Sequence, residues 1–527
     1  MAAPRKVTSS MRHRLAAWLL LAALWPPVGS AAGQTAKARL TTALDHAPRD
    51  RHHWGVAVLD DRGRVVFGRN ADRLFVPASN TKLIVTATAV AMLPRDWTVR
   101  TPIFGGGAIV DGTLSGDLIL YGQGDPTWSS RCFAIDTMAP GACETDPFAR
   151  LRPLASALRS RGVVRIAGAI IGDGSAFEPL LVHPTWENDD IVWGYGAPVS
   201  GLGFNENLVT VTLEPTTEGH RAALSVAPDL GGLAIDNQVT TVSDTGVTQI
   251  HWQRSDGQPV ATATGTIRRG DPPERAQLAV ADPNRYAALA LASILQDSGI
   301  VVLGGVRSTT DPGLTAPSRT GSALGEVVSR PLADWIFPIL NVSQNWIAEM
   351  LTKQLGRQFG LAGSWKEGLA VERRFLIDEV GLDSTQFVIH DGSGLSGKNA
   401  ISPLVFARLL IFLRGHAAFE TFAAGLPRSG AMGSLRNRFV GTPFEGLVRA
   451  KTGSIGQVNS LSGYLERDRP GPVPCRTFSV QANHHTLGGR AMIQAIDSVV
   501  VAIGGLGRCA ARREPPILGA TRPPGGP

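Results

Sequence analysis

Four short stretches of the chain, far apart in sequence, carry nucleophilic and basic side chains at spacings that could support acyl transfer. They are Ser79-Asn80-Thr81-Lys82, Ser343-Gln344-Asn345, Asp391-Gly392-Ser393-Gly394 and Lys451-Thr452-Gly453-Ser454. A serine hydroxyl attacks a carbonyl once a base removes its proton, and a lysine can be that base after its own pKa has been lowered. These stretches therefore predict catalysis through a serine ester.

The local context of Ser79 suits a nucleophile. Pro77 favours an extended residue before it, and residues 83–92 form an uninterrupted apolar run that is compatible with a helix. Ser79 is therefore predicted at a helix N-terminus, with Lys82 on the same face one turn later. The alternative is a serine N-cap followed by a solvated lysine, which fits poorly because Lys82 lies beside the apolar run.

Each polar residue of the first two stretches can be given a role. Ser79 is the predicted nucleophile and Lys82 its base. Ser343 would relay the proton to the leaving amine, and Asn345 would hold Lys82 and the substrate amide. With its ordinary pKa of about 10.4, lysine is protonated near pH 7 and cannot accept a proton, but burial and a second cation, Lys451, would lower that pKa.

The Lys-Thr-Gly stretch is predicted on a strand at the edge of a sheet. Three strand candidates, 448–453, 461–465 and 477–481, alternate with turn-rich segments and predict an antiparallel meander. The alternative for Lys-Thr-Gly is a surface turn.

This strand has the side chains needed to bind the end of a peptide. Lys451, Thr452 and Ser454 offer a cation and two hydroxyls for a terminal carboxylate, and Gly453 would let a peptide approach the backbone closely. The N–H groups of Ser79 and Ser454 are the predicted oxyanion hole.

Three of the four stretches match the Ser-x-x-Lys, Ser-x-Asn and Lys-Thr-Gly set of serine penicillin-binding proteins and β-lactamases, in the order in which that fold uses them. The chain resembles in particular the class C low-molecular-mass penicillin-binding proteins, the D-alanyl-D-alanine carboxypeptidase/endopeptidase family. The resemblance covers about residues 38–505 and includes Gly116-Asp117-Leu118, Gly122-Gln123-Gly124-Asp125-Pro126-Thr127, Tyr195-Gly196-Ala197-Pro198-Val199-Ser200, Asn205-Glu206-Asn207, Asp391-Gly392-Ser393-Gly394-Leu395-Ser396 and Gly433-Ser434-Leu435-Arg436-Asn437-Arg438-Phe439. Gln344 and Ser434 stand where the family more often has Asp and Thr. Most of the additional motifs, Asp391-Gly392-Ser393-Gly394 included, have the composition of tight turns and are not assigned a catalytic role.

The order of the motifs predicts a split domain. The nucleophile lies at 79 while its partners lie beyond 340, so the first and last portions of the chain must fold together around an insertion. We expect a penicillin-binding peptidase domain formed by 33–98 and 283–509 and an inserted β-rich region at 99–282, which the resemblance implies to be two small domains. Residues 510–527 are predicted to be a disordered, Pro/Gly-rich tail.

The enclosing domain is predicted to be α/β (α+β), with helices packed on an antiparallel sheet in the serine penicillin-binding/β-lactamase-like transpeptidase fold. Residues 55–59 and 65–68 flank the turn residues 60–63 and predict a hairpin. Helices are predicted at about 79–92, 284–298, 344–359 and 488–503.

The N-terminus has the layout of a secretory signal peptide. Basic residues precede the apolar run 15–25, which is followed by Pro26-Pro27 and small residues up to Ala32. Cleavage near Ala32 would give an exported, periplasmic protein without a transmembrane segment, although peripheral contact with the membrane stays open. The alternative is an uncleaved anchor, against which the short apolar run and the prolines argue.

The four cysteines fit an oxidising compartment. Cys132, Cys143, Cys475 and Cys509 allow three pairings, and they are too scattered for a zinc cluster. We favour Cys132 with Cys143 and Cys475 with Cys509, because pairing near neighbours closes the shortest loops.

Composition bounds the remaining possibilities. The chain has 527 residues, of which 43% are hydrophobic and 18% charged, so it can bury several cores. Its formal charge of +7 is concentrated in the first 32 residues and in the tail, which leaves the body of the chain close to neutral and gives no support for nucleic-acid binding. Nothing in the sequence calls for a metal or a cofactor.

The resemblance implies a serine D,D-peptidase that is acylated by penicillin and acts on peptidoglycan peptides, as a carboxypeptidase on D-Ala-D-Ala ends or as an endopeptidase on cross-links. Two alternatives stay open. A β-lactamase would share the site, but the chain lacks the Glu-x-x-Leu-Asn signature of a class A enzyme and carries a long insertion. A catalytically silent wall-binding or sensor module on the same fold is disfavoured because the polar residues of the Ser-x-x-Lys, Ser-x-Asn and Lys-Thr-Gly stretches are all intact.

Overall fold

The computed structural model describes residues 28–46, 51–135, 143–467, 474–506 and 509. The described strands are β1 (His53–Leu59), β2 (Val65–Arg69), β3 (Arg100–Gly105), β4 (Ile109–Val110), β5 (Thr113–Leu114), β6 (Leu118–Tyr121), β7 (Arg165–Ile166), β8 (Ile170–Asp173), β9 (Leu208–Glu214), β10 (Ala223–Ala227), β11 (Ala234–Asn237), β12 (Thr240–Val242), β13 (Gln249–Gln253), β14 (Val260–Arg268), β15 (Glu274–Ala279), β16 (Val301–Val302), β17 (Val306–Thr309), β18 (Gly325–Val328), β19 (Phe387–Val388), β20 (Ala400–Ile401), β21 (Val448–Ile455), β22 (Val458–Leu465) and β23 (Arg476–Asn483).

The described α-helices are α1 (Val28–Asp45), α2 (Lys82–Met92), α3 (Arg152–Ser160), α4 (Pro283–Asp297), α5 (Pro312–Thr315), α6 (Leu332–Asn341), α7 (Asn345–Phe359), α8 (Trp365–Arg374), α9 (Pro403–Arg414), α10 (Phe419–Gly425) and α11 (Gly489–Gly504). Short 3₁₀ turns include Ala78–Thr81, Gly194–Gly196 and Asn205–Asn207.

A five-stranded antiparallel sheet in the order β2-β1-β23-β22-β21 joins the two ends of the chain. The predicted hairpin is β1 and β2, and the predicted meander is β21, β22 and β23, with β21 at the edge of the sheet. These strands and the helices α2, α7 and α11 lie within a few residues of their predicted bounds. The α/β fold with helices packed on an antiparallel sheet is therefore confirmed.

Side chains that alternate along β1 face two different helical layers, as the period of two in a strand requires. Val56 and Val58 are buried in one apolar cluster with residues of α1 and α11. Ala57 and Leu59 are buried on the other face, against Ala407 of α9. A larger cluster on that side joins α2 with α6 to α10. The sheet thus lies between helices, and α2 holds Lys82 in the interior.

Strands of the inserted region, together with β16 to β18, form four further sheets, ordered β17-β8-β6-β3-β18, β16-β7-β5-β4, β10-β9-β15 and β11-β14-β12, with β13 paired to β14. Helix α4 shares a buried apolar cluster with β3, β6, β7 and β8, and β18 pairs with β3. The domain limits stay a prediction. We propose to move the second boundary from 283 to about 329, because α4 and β16 to β18 pack with the inserted strands.

Both predicted cysteine pairs, Cys132 with Cys143 and Cys475 with Cys509, are disulfide-bonded, so the favoured pairing is confirmed. The predicted signal peptide lies outside the described residues up to position 27, and the predicted disordered tail lies outside them altogether. Among the helices that are described, none is long and apolar enough to cross a membrane.

Candidate active site

The nucleophile candidate lies on a tight turn at the start of α2. Ser79 belongs to the 3₁₀ turn Ala78–Thr81, which runs directly into the α-helix that begins at Lys82. Ala78 has a φ of 48°, a left-handed conformation that is unfavourable for a residue with a Cβ atom. Ser79 is half-buried on this turn, whereas Lys82 is fully buried.

The Lys82 ammonium group has three oxygen neighbours. Its Nζ lies 2.8 Å from Ser79 Oγ, 2.7 Å from Asn345 Oδ1 and 2.6 Å from the carbonyl oxygen of Ser393. The amide and carbonyl oxygens can only accept hydrogen bonds, whereas the serine hydroxyl can also donate one. A neutral amine has two N–H donors and one lone pair, so this arrangement directs the lone pair to the hydroxyl of Ser79.

The pKa of Lys82 is lowered to about 7. Burial is the main cause, and the negative charges of Asp391 and Glu349 oppose it by raising the pKa. A substantial fraction of Lys82 is therefore neutral near pH 7. Lys82 thus has both the position and the protonation state that a general base for Ser79 needs.

Two buried carboxylates hold the loop that supplies the Ser393 carbonyl. Glu349 accepts hydrogen bonds from the N–H groups of Gly392 (3.1 Å) and Ser393 (2.7 Å), and from the indole of Trp365. Asp391 accepts from the N–H groups 394 and 396, from Asn399 and from Trp186. Burial and the adjacent Asp391 raise the pKa of Glu349 to about 7. The loop also packs directly on the nucleophile turn, since a Cβ atom at Gly394 would lie 1.9 Å from the Ala78 carbonyl oxygen.

A second serine and lysine pair lies across the site. Lys451 Nζ donates to Ser343 Oγ at 2.8 Å and to the carbonyl oxygen of the next residue, Thr452, at 2.7 Å. Burial, and then the charge of Lys82, hold the pKa of Lys451 well below its ordinary value. Ser343 lies between α6 and α7 with a φ of 64°, again a strained left-handed conformation.

Strand β21 approaches the nucleophile turn closely. A Cβ atom at Gly453 would lie 2.2 Å from Ser460 Oγ, 2.6 Å from the Pro77 carbonyl oxygen and 3.1 Å from Ser79 N. Ser460 also donates to that Pro77 oxygen at 2.6 Å. The glycine therefore makes room for the protein's own turn, a reason that the sequence did not suggest. Gly453, the residue before Ser454, therefore lies beside the N–H of Ser79. The N–H groups of Ser79 and Ser454 are the two predicted donors of the oxyanion hole.

The remaining residues of the site connect it to its surroundings. Asn345 donates through Nδ2 to the Tyr195 carbonyl oxygen at 2.9 Å. Thr452 Oγ1 lies 2.9 Å from Ser434 Oγ, and Ser454 is exposed.

Gln344 links the Ser-x-Asn turn to the inserted region. Its Oε1 caps helix α7 by accepting from Ile347 N at 2.7 Å, and its Nε2 donates to Glu206 Oε2 at 2.7 Å. Glu206 is buried, and it also binds Arg131 and Ser129.

The structure thus brings Ser79, Lys82, Ser343, Asn345 and Lys451 together, with Thr452, Gly453 and Ser454 on the adjoining strand. Sequence reasoning did not identify the contributions of Ser393, Glu349 and the Tyr195 carbonyl. The Asp-Gly-Ser-Gly motif was the available signal for Ser393, but its composition is equally typical of an ordinary turn.

Comparison with known proteins agrees with this geometry. Residues 36–502 match the model of the D-Ala-D-Ala carboxypeptidase 3 (S13) family. The chain is 29% identical over 463 residues to a D-alanyl-D-alanine carboxypeptidase of Actinomadura sp. (strain R39), covering 85% of this chain and 80% of that one. It is 26% identical over 450 residues to the carboxypeptidase DacB of Mycolicibacterium smegmatis, covering 84% and 79% of the two chains.

Among solved structures, penicillin binding protein 4 (dacB) of Haemophilus influenzae superimposes with a TM-score of 0.75 at 21% identity, covering 88% of this chain and 98% of that one. This similarity supports the fold alone. The family match confirms the resemblance that was drawn from the motifs.

Proposed function

Because the chain belongs to the D-Ala-D-Ala carboxypeptidase 3 (S13) family of serine peptidases, we propose that it hydrolyses D-Ala-D-Ala peptides of peptidoglycan through an acyl-enzyme on Ser79. The observation that carries the proposal is the contact of Lys82 Nζ with Ser79 Oγ at 2.8 Å, with the other two neighbours of Nζ able only to accept. That arrangement suits a neutral lysine acting as a base.

In the proposed acylation, Lys82 takes the hydroxyl proton of Ser79 while Oγ bonds to the carbonyl carbon of the penultimate D-alanine. The N–H groups of Ser79 and Ser454 stabilise the oxyanion. As the C–N bond breaks, Ser343 gives a proton to the leaving amine and is reprotonated from Lys82, with Lys451 orienting its hydroxyl. Water then attacks the ester and releases the shortened peptide.

The substrate's terminal carboxylate is proposed to bind at Lys451, Thr452 and Ser454. Lys451 is buried, and the described residues provide its Nζ with two oxygen partners, so one donor is left for a ligand. The negative charge of the carboxylate would raise the pKa of Lys451 and fix it as a cation in the complex. Gly453 allows β21 to lie beside the nucleophile turn.

We propose that the protein is exported and acts in the cell envelope, on the basis of the signal-peptide layout of its first 32 residues and its two disulfides.

The test is incubation of the mature protein with a fluorescent penicillin and, separately, with a pentapeptide ending in D-Ala-D-Ala, followed by intact mass and peptide mapping. We expect a long-lived penicillin adduct on Ser79 and release of D-alanine from the peptide. The tethered leaving group of the β-lactam stays in the site, whereas free D-alanine departs and admits water. Rapid penicillin hydrolysis without a persistent adduct would reassign the protein as a β-lactamase. If neither reagent reacted, the chain would be a silent module.

A further inference from the structure

A polar cleft in the inserted region has no role in the chemistry described above. Its volume is about 400 Å³, and it opens between the segment that precedes Tyr195 and the strands β13 and β14. It is lined by Asn188, Asp189, Val192, Trp252, Gln253, Arg254, Ser255, Gln258, Val260 and Thr262. The cleft thus combines one large aromatic face with several exposed polar groups.

Arg254 forms one wall of this cleft and is held there by main-chain hydrogen bonds. The side chain is 8% exposed, and its two terminal nitrogens donate to the carbonyl oxygens of Ala279 and Ile191. These bonds tie the segment around Ile191 to the end of β13. Within the described ranges, Arg254 Nε has no hydrogen-bond partner. Because this atom is itself buried, Arg254 holds the cleft wall in place, and the exposed polar side chains of the lining are the ones that a ligand can reach.

The charge and polarity of the lining residues indicate which kind of ligand the cleft can bind. Its formal charges are one acidic and one basic residue, Asp189 and Arg254, so the cleft does not favour a strongly charged ligand. Its other polar groups are amides and hydroxyls, which suit a neutral molecule with many hydroxyl and amide groups. Trp252 is half-buried and also lines a second, adjoining cleft of about 250 Å³ together with Trp193. A pyranose ring presents both an apolar face for an indole and equatorial polar groups for amides.

We propose that this cleft binds the chain of N-acetylated amino sugars to which the substrate's stem peptide is attached. The identity of the ligand rests on the proposed function, whereas the existence of a saccharide site does not.

The position of the cleft is compatible with a single substrate that occupies both sites. Val192 lines the cleft, and three residues later the Tyr195 carbonyl accepts from Asn345. Three residues span at most roughly 11 Å, and four extended peptide residues span roughly 14 Å. A stem peptide of that length, with its D-alanine end at Ser79, can therefore reach past the Tyr195 carbonyl, and the sugar chain that it carries would extend on to this cleft. Tyr195 is 45% exposed, and its ring plane lies within 9° of that of Trp193, so aromatic faces continue between the two sites.

The experiment uses the mature protein and two probes. Chitotetraose, four linked N-acetylglucosamine units without peptide, is titrated and followed by calorimetry. Hydrolysis is then compared for a free pentapeptide and for the same peptide linked to its disaccharide. We expect saturable chitotetraose binding, and a KM about tenfold lower for the linked substrate, the effect of one or two hydrogen bonds.

The double variant N188A/Q253A removes two exposed lining amides and should abolish both effects while leaving hydrolysis of the free pentapeptide unchanged. The matched control is Gln249→Ala, which removes the same side chain from the other end of β13, outside the cleft. Thermal melting checks that both variants are folded.

The proposal is overturned if chitotetraose does not bind, if the double variant behaves like the control, or if the free pentapeptide displaces chitotetraose in the Ser79→Ala protein, which would make the cleft a peptide subsite. Failure of the proposed function is separate. An inert Ser79 with intact chitotetraose binding would leave the saccharide site in place and remove only the peptidase role.

Discussion

The site contains two serine and lysine pairs with the same contact distance and opposite electrostatic surroundings. Lys82 Nζ lies 2.8 Å from Ser79 Oγ, and Lys451 Nζ lies 2.8 Å from Ser343 Oγ. Both lysines are fully buried. Carboxylates raise the pKa of Lys82 and partly offset the lowering that burial causes. The charged neighbour of Lys451 is another lysine, which lowers the pKa of Lys451 further.

This difference shows how the same residue types can serve two tasks. Lys82 has three oxygen neighbours and nearby negative charge, so it can exchange its proton near neutral pH without leaving its position. Lys451 lacks such compensation until a ligand brings negative charge. We therefore expect the first pair to carry proton transfer and the second to carry carboxylate recognition, and the following variants test that division.

The largest effect is expected at the nucleophile. Ser79→Ala removes the only atom that the proposed mechanism acylates, so penicillin labelling and D-alanine release should both disappear while the melting temperature stays near that of the native protein. The control is Ser498→Ala, an exposed helix serine, which should label normally. Adduct formation on the Ser79→Ala protein, detected by intact mass, would show that another residue is the nucleophile.

Arginine substitutions separate the two lysines. Lys82→Arg should slow acylation by about 10²- to 10⁴-fold, because a guanidinium stays protonated and cannot act as a base. Lys451→Arg keeps the charge, and we expect it mainly to raise KM for the peptide, by about tenfold. Stopped-flow acylation rates and steady-state kinetics measure the two effects, with the exposed Lys366→Arg as control. Similar kinetic defects in the two variants would contradict the division of tasks.

The pH dependence of acylation is expected to follow the proton of Lys82. Because the neutral amine is the active form, the acylation rate constant should rise as pH increases through about 7. Glu349, whose own pKa is raised to about 7, is charged above that pH and raises the pKa of Lys82 there, so Glu349→Gln should lower that pKa and move the upper part of the rising limb to lower pH. The measurement is the penicillin acylation rate from pH 5 to 9, with the exposed Glu379→Gln as control. A limb that moved to higher pH would rule out this electrostatic role.

Much of this arrangement could be predicted from the sequence, because it depends on local patterns. The proline before the nucleophile, the apolar run after it and the alternating strands of the meander led to the bounds of α2 and β21 to β23 within a few residues. The cysteine pairs followed from their spacing. The main elements that position Ser79 and Lys451 were therefore accessible without a structure.

The rest depended on contacts between distant segments, which composition does not specify. The carbonyl of Ser393 carries no signal in its side chain, and Glu349 acts through main-chain N–H groups on another loop. Helix α4 has an ordinary amphipathic sequence, and only the strands beneath it show that it packs with the inserted region.

The smallest effect is expected where the inserted region meets the catalytic turn. Gln344→Glu keeps the acceptor that caps α7 but places a carboxylate within hydrogen-bond distance of Glu206 Oε2. Two carboxylates at that distance raise the pKa of one of them. When the pKa of a carboxyl is higher in the folded state than in the unfolded state, its contribution to stability is fully present below the unfolded-state pKa. That contribution is lost as the pH rises through the folded-state pKa. The variant should therefore lose about 1–3 kcal/mol of stability at pH 7, relative to the native protein, and recover part of it at pH 5. Melting curves at both pH values test this, with Gln344→Ala as the uncharged comparison. A loss that did not depend on pH would mean that Gln344 acts only through packing and capping, and that its bond to Glu206 contributes nothing to joining the two regions.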